Sequence, residues 1–519
     1  MNTASSTPIQ PVHLPDLRGE NEALKAQVQA LKNQLDWFKR QLFGQKSEKR
    51  LVGDSPFQAD WLAQLETPLS PALSPDTEQV TYERRKCRGD NTVTDSGLRF
   101  DQSVPVQTIY LSAPELKDVP LSQQEVIGEQ VSYRLAQRPG SYVVLKTVRP
   151  VVKRKDSGQL ISAPMPFNVL ERSIADVSFM AGMLVDKFVY HLPLYRQHQR
   201  LRQSGIDLSR GTLSNLCQRT IALLVPIFDA QRQHILKSRV LAMDETPIKA
   251  GRKAPGKLRQ GYLWPVYGEE DEIAFHYTPT RASAHVTEIL GPSFKGVLLT
   301  DGYEAYTKYA KQHTALTHAG CWAHTRRYFE RAQEAEPEAA DHALERIGEL
   351  YRHEAQIRAQ QLTTEAILNY RVAHCAPVVQ AFFDWCHQQC QRHDLLPSNP
   401  LTKALKYTRT RADQLTVFLS DPAVAVDTNH LERALRPIPM GRKNWLFCWT
   451  EFGARQVGII QSLLSTCKLH GIDPYTYLVD VLQRISQHPA SRVIELTPRV
   501  WKATFADHPL RSVLDQHEH

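Results

Sequence analysis

The spacing of apolar positions changes along the chain, and each change predicts a segment. From Leu24 the apolar residues run Val28, Leu31, Leu35, Phe38 and Leu42, in alternating steps of four and three that form a coiled-coil seam. With Leu17, Leu24, Leu31 and Phe38 at d, the a positions are Asn21, Val28, Leu35 and Leu42. A single polar a residue fixes register, and a β-branched a residue with Leu at d favours a parallel dimer. Residues 15–50 are therefore expected to self-associate; the rival is one amphipathic helix packed on its own domain. Residues 51–100, rich in Pro, Ser and charge, read as a linker. Between 101 and 168, short alternating runs such as "SYVVLKTVRPVVKRK" predict a small β-rich module.

Residues 169–237 turn helical. "YHLPLYRQHQRLRQSGIDLSRGTLSNLCQRTIALLV" reads as a helix ending at Gly205, a short turn, and a second helix capped by Ser209. That is helix-turn-helix spacing, with Arg210, Thr212, Ser214 and Asn215 near the start of the second helix, where a DNA reader carries its base contacts. A helical hairpin without a DNA role is the alternative. Beyond residue 238 the apolar runs become strand-length. "RVLAMDETPIK" reads as a buried strand ending in acids, "GYLWPVYGEEDEIAFHYTP" as two strands around an acidic turn, and "ASAHVTEILG" as a helix. "GVLLTDGYEAY" is a strand ending in Asp301, "TALTHAGCWAH" another strand, and "TRRYFERAQE" starts a helix. This order is that of an α/β ribonuclease-H-like core, whose central strands deliver carboxylates to one edge. The first part of that core is expected at 238–330, an all-helical insertion at 331–424, the second part at 425–486, and a C-terminal tail at 487–519.

Asp244 and Asp301 each end an apolar strand, the usual position of a site residue in a mixed sheet, although a lone Asp there is often a turn residue. With Glu432 beyond the insertion they make an Asp, Asp, Glu set. Three such carboxylates can hold two hard divalent cations that stabilise both the attacking and the leaving oxygen of an in-line displacement at phosphorus. Mg²⁺ suits them best, with Mn²⁺ able to substitute. Glu432 has a plainer reading too: Asn429 as N-cap with Glu432 three residues on nearly matches a capping box, worth about 1 kcal/mol. A cap does not call for the cations that follow it. Arg433 and Arg436 precede Pro437, and Arg442 and Lys443 lie beside Trp445; guanidinium forks grip phosphate bidentately. The hairpin "KAGRKAPGKLR", with Lys249, Arg252, Lys253, Lys257 and Arg259, follows Asp244 and reads as a further phosphate contact. Cys321 and His324 stand three apart with no second pair, poor evidence for zinc, and read as supports of the core. Cys386, Cys390 and His393 read as residues of the insertion, not as a metal site, and Trp385 as a core residue that could alternatively stack on a displaced base.

Composition narrows the classes. The 519 residues exceed one core, and 42% hydrophobic content is ordinary for globular protein. The excess of 63 Lys and Arg over 55 Asp and Glu, a net +8, favours a polyanionic partner. No apolar run is long enough for a membrane span, and "MNTASSTPIQPVHLPDL" lacks a signal-peptide core. Eight cysteines in a chain this long read as reduced thiols. A cytoplasmic, nucleoid-associated protein is expected.

Taken in order, "MDETPIK", "GYLWPVY", "LLTDGYEAY", "GCWAHTRRYF", "NHLERALRPIPMGRKNWLF" and "LHGIDPYTYLVDVLQRI" resemble the large transposase of IS66-type insertion sequences. The likeness extends to the helical hairpin and the N-terminal heptads. It implies a DDE transposase with Asp244, Asp301 and Glu432 as catalytic metal ligands. It also implies inverted-repeat ends and target DNA as partners, and two small accessory proteins from the same element. The Cys-x-x-His pair resembles one that supports the core in several DDE groups. The chain departs from the family in one respect: the zinc-finger-like module before the helix-turn-helix usually has two Cys-x-x-Cys pairs, and none is present here, so no zinc is expected and that module must fold on its apolar strands. A metal nuclease that cuts without joining, and a catalytically silent end-binding repressor, remain the other classes.

Overall fold

The computed structural model describes residues 92–516, apart from residues 95, 96, 103, 118, 139, 394, 446, 447 and 449. The coiled-coil reading of 15–50 lies outside the described residues, as does most of the linker reading. The first sheet is built from β1 (Val106–Tyr110), β2 (Gln124–Arg138), β3 (Ser141–Arg154) and β4 (Leu160–Ser162), with β3 between β1 and β2. Its long hairpin β2–β3 buries Leu135, Val144 and Leu145, so the module has an apolar core without thiolate ligands.

Four helices follow: α1 (Val177–Phe188), α2 (Leu194–Gln203), α3 (Arg210–Leu223) and α4 (Val225–Ile235). Between α2 and α3 the chain turns at Gly205, φ +78°, and Ser209 Oγ accepts from Thr212 N at 3.0 Å. The sequence reading missed that Ile206–Asp207 pairs with Arg99–Phe100, inside the stretch read as a linker, and ties this turn into a small ribbon.

The second sheet contains β5 (Val240–Met243), β6 (Thr246–Ala254), β7 (Lys257–Tyr267), β8 (Ile273–Thr278), β9 (Val297–Thr300) and β10 (Thr317–Gly320). Its order is β8-β7-β5-β9-β10, with β6 paired to β7. β5 is antiparallel to β7 and parallel to β9. The run read as one strand, "RVLAMDETPIK", is therefore two: it breaks at Asp244–Glu245, and its second half folds back as the basic hairpin β6–β7. The central strands read as unbroken apolar runs because both faces are covered. Leu241, Met243 and Leu298 pack with Trp264 and Tyr306 against α5 (Ala284–Leu290) and α6 (Glu304–Gln312), while Ala242 and Leu299 join the main core.

After β10 comes α7 (Trp322–Glu330), then α8 (Pro337–Ala359) and α9 (Thr364–Tyr370), which runs through one π-helical turn into α10 (Ala376–Gln389). Next are α11 (Pro400–Arg409) and α12 (Ala412–Ser420). Arg371, in the π turn, is buried against Glu354 and donates to the carbonyls of Phe418, Asp421 and Val424, fixing the chain that leads back toward the sheet. Trp385 packs on Phe329, Phe382 and His342.

The chain closes with α13 (Asn429–Leu435), α14 (Pro437–Trp445), α15 (Glu451–Leu469), α16 (Pro474–Arg484) and α17 (Pro498–Thr504). Helix α15 lies along β8, the edge strand. Ser462 Oγ accepts from Phe275 N at 2.8 Å and Thr466 Oγ1 from Ile273 N at 3.2 Å. Gly458, one turn earlier, allows the approach: a Cβ there would meet the Phe275 carbonyl oxygen at 2.6 Å. Two N–H groups of an edge that would otherwise recruit a foreign strand are thus capped by hydroxyls, and Gln231 Nε2 donates to the Ile273 carbonyl at 2.8 Å. Residues 487–516 are no loose tail. Trp501 is buried, its Nε1 donating to Asp480, and Leu514 fills the core of the first sheet. Among the described residues no helix is long and apolar enough to cross a membrane.

Candidate active site

Register brings the two aspartates together. Leu299 stands opposite Ala242 in the parallel β5–β9 ladder, so two residues further on Asp301 faces Asp244 where both strands end. Each acid is held by its own turn: Asp244 Oδ1 accepts from Glu245 N at 2.7 Å, and Asp301 Oδ1 from Tyr303 N at 2.8 Å. Gly302, φ +90°, makes the second turn possible. The helices after α7 reach this turn. Tyr407 donates to the Asp301 carbonyl and stacks on Tyr328, and Arg411 Nη2 donates to the Gly302 carbonyl at 2.8 Å.

A third acid joins them that the sequence reading passed over. Oxygens of Asp244, Glu245 and Asp301 lie within 4.8 Å of one another. In a continuous strand Glu245 would point away from Asp244; the break between β5 and β6 turns it to the same side. Its side chain is buried, accepts from Tyr306 Oη at 2.6 Å, and is paired with Arg281. Burial raises the pKa of Asp244 to about 8, reinforced by Asp301, Glu245 and Glu432. A cluster of hard carboxylate oxygens whose burial and mutual repulsion raise a pKa fits a divalent cation of the Mg²⁺ or Mn²⁺ class.

Glu432 lies close enough to add to that field, but its contacts are elsewhere. The capping box does not form: the helix starts after Thr428, and Asn429 donates through N and Nδ2 to Asp427. Both Glu432 oxygens instead accept from Arg327 Nη2, at 2.7 and 2.6 Å. Arg327 Nη1 lies 3.0 Å from His324 Nε2. A guanidinium only donates, so that nitrogen accepts and the hydrogen sits on Nδ1, which is buried without a hydrogen-bond partner. The spacing of His324 and Arg327, three apart on α7, puts them on one face. Cys321 accepts from Thr428 N at 3.3 Å and contacts its hydroxyl at 3.2 Å, locking the end of β10 to the start of α13. Burial pushes its thiol up to about 11, so it rests as a packed thiol.

The cations divide. Arg433, Arg436 and Lys443 are exposed on α13 and α14 or at their junction, and Lys249, Arg252, Lys253, Lys257 and Arg259 are exposed on the hairpin. "GRKN" is helical, and Arg442 donates to the Pro247 carbonyl, tying α14 to β6. Cys448 extends that tie, donating its N–H to the Lys249 carbonyl at 2.9 Å. Arg210 and Asn215 are exposed on α3, outside the acidic cluster; Thr212 is engaged by the Ser209 cap.

The family model described as "Transposase IS66 family" matches residues 172–456, "IS66 C-terminal element" matches 462–499, and "Transposase C of IS166 homeodomain" matches 30–103. Among curated relatives, uncharacterized protein y4jD of Sinorhizobium fredii is 30% identical over 503 residues, covering 93% of this chain and 96% of its own. Uncharacterized protein y4hP of the same organism is 29% identical over 515 residues, covering 92% and 90%.

Proposed function

The chain belongs to the IS66 transposase family, and from that premise we propose that it cleaves and joins insertion-sequence ends by divalent-ion-assisted phosphoryl transfer, with Asp244, Asp301 and Glu432 as the ion-holding carboxylates. The observation that carries this reading is the parallel register of β5 and β9, which sets Asp244 against Asp301 in a cluster of hard oxygen donors. The strand order supports reading the sheet as a ribonuclease-H-like core interrupted by the helices from α8 to α12. Mg²⁺ is the proposed ion; bound, it would activate the attacking hydroxyl and take up charge on the leaving oxygen.

The chain's own groups do the rest. Arg433, Arg436, Lys443 and the hairpin lysines and arginines grip backbone phosphate, setting affinity and salt dependence but not sequence. The α2–α3 pair reads the inverted repeats, with Arg210 and Asn215 at the groove. His324, with its unpartnered Nδ1–H, is a hydrogen-bond donor beside Glu432. Tyr407 and Arg411 hold the Asp301 turn. Self-association through residues 15–50 pairs two ends, and two small accessory proteins complete the assembly.

The test is Mg²⁺-dependent cleavage and strand transfer on a duplex carrying the element's own terminal repeat, comparing the natural chain with Glu432→Gln. Expected is a loss of about a hundredfold or more in turnover, as several kcal/mol of lost charge stabilisation requires, with end binding retained. Undiminished turnover would remove Glu432 from the set. Cutting without joining by the natural chain would make it a nuclease, and end binding without cutting a repressor.

A further inference from the structure

Both oxygens of Glu432 are occupied by one guanidinium. The Arg327 pair is short, 2.7 and 2.6 Å, and second-anchored on His324. Among the described residues, the acids close enough to share one ion are Asp244, Glu245 and Asp301, and Glu432 stands outside that group. Yet the pair is open to solvent, the side chains of Arg327 and Glu432 being 41% and 27% exposed. Such a pair is weak, and here a single nitrogen, Nη2, serves both carboxylate oxygens, whereas a guanidinium can donate to a phosphate through two nitrogens at once.

We infer that Arg327 is a latch on the third carboxylate: without DNA it holds Glu432 off the ion site, and a backbone phosphate takes the guanidinium and frees Glu432 to complete the site. This rests on the reading of Asp244, Asp301 and Glu432 as the ion-holding set. It orders events. Ions bind weakly to the free protein and tightly once DNA is seated, so hydrolytic capacity is assembled only on substrate. Arg327 is thus a positioning residue that acts through Glu432.

The experiment measures Mn²⁺ affinity of the full-length protein from the spin resonance signal of the free ion, with and without duplex DNA of random sequence, correcting for Mn²⁺ held by the DNA alone. Without DNA, Arg327→Gln is expected to bind Mn²⁺ up to about fivefold more tightly than the natural chain, the scale of one exposed ion pair. DNA should tighten Mn²⁺ binding by the natural chain and leave Arg327→Gln nearly unchanged. Arg327→Lys keeps the charge but, with a single ammonium, cannot hold Glu432 and His324 at once and so loses the anchor that fixes the pair. If it tightens too, release of Glu432 is the cause; if only Arg327→Gln does, loss of a nearby cation explains the gain and the latch falls. A purely structural Arg327 gives the opposite sign, weaker Mn²⁺ binding in both variants, which also overturns the latch. Glu432→Gln separates the two readings: Mn²⁺ affinity unmoved with and without DNA refutes the ligand assignment, whereas weakened Glu432→Gln beside unmoved Arg327 variants refutes the latch alone.

Discussion

At Asp244, folding and chemistry oppose each other. Its place at the end of β5 takes it largely out of water, and the charges of Asp301, Glu245 and, more weakly, Glu432 add to that, so its pKa is raised to about 8. The native state then holds this proton more tightly than the unfolded chain. Its contribution to stability is complete below the ordinary carboxylate range and is lost as pH rises toward 8, by at most about 1.4 kcal/mol per pH unit. His276, buried in β8 with its pKa lowered to about 3, tilts stability the other way below the usual histidine range. The comparison must therefore be made with Asp244→Asn. Thermal melts in chelator should show stability of the natural chain falling more steeply between pH 6.5 and 8 than that of Asp244→Asn, and saturating Mg²⁺ or Mn²⁺ should flatten the difference. Equal slopes would mean that Asp244 is ionised in the folded, ion-free protein.

Among the elements, α15 fixes the edge of the sheet, and one glycine sets how closely it lies. Gly458→Ala would drive a methyl into the Phe275 carbonyl, and a cost of roughly 1–3 kcal/mol is expected, read as a lowered melting temperature with the same unfolding cooperativity. An unchanged melting temperature would show that the helix can back away. The spacing Gly458, Ser462, Thr466 stands in plain view in "GARQVGIIQSLLSTCKLHG", but nothing local marks the strand it serves, since Phe275 lies 187 residues before Ser462. What was legible was local. Asp244 and Asp301 stood out because strands buried on both faces end in acids, and Ser209 because a cap is a short-range hydrogen bond. Glu245 was hidden because "RVLAMDETPIK" shows no sign of the break that turns it inward. The Glu432 contact could not be read either, since Arg327 is 105 residues away and the nearby Asn429 offered a cap that its own bond to Asp427 pre-empts.

For the whole molecule, a net +8 matters less than where the exposed cations stand. Arg433 and Arg436 are exposed at the junction of α13 and α14, whereas Arg442 is used within the fold. Replacing Arg433 and Arg436 together by Ala should weaken binding alike for terminal-repeat and unrelated duplexes, and reduce the slope of log affinity against log salt by about two. An unaltered slope would make them a solvated face. The hydroxyl-sealed edge has a further consequence, in time. On the ribosome, β8 emerges well before Ser462 and Thr466, so the growing chain carries an open strand edge until α15 is made. A chain interrupted before that point leaves the Ile273 and Phe275 N–H groups of β8 without these acceptors, an edge open to pairing with another strand.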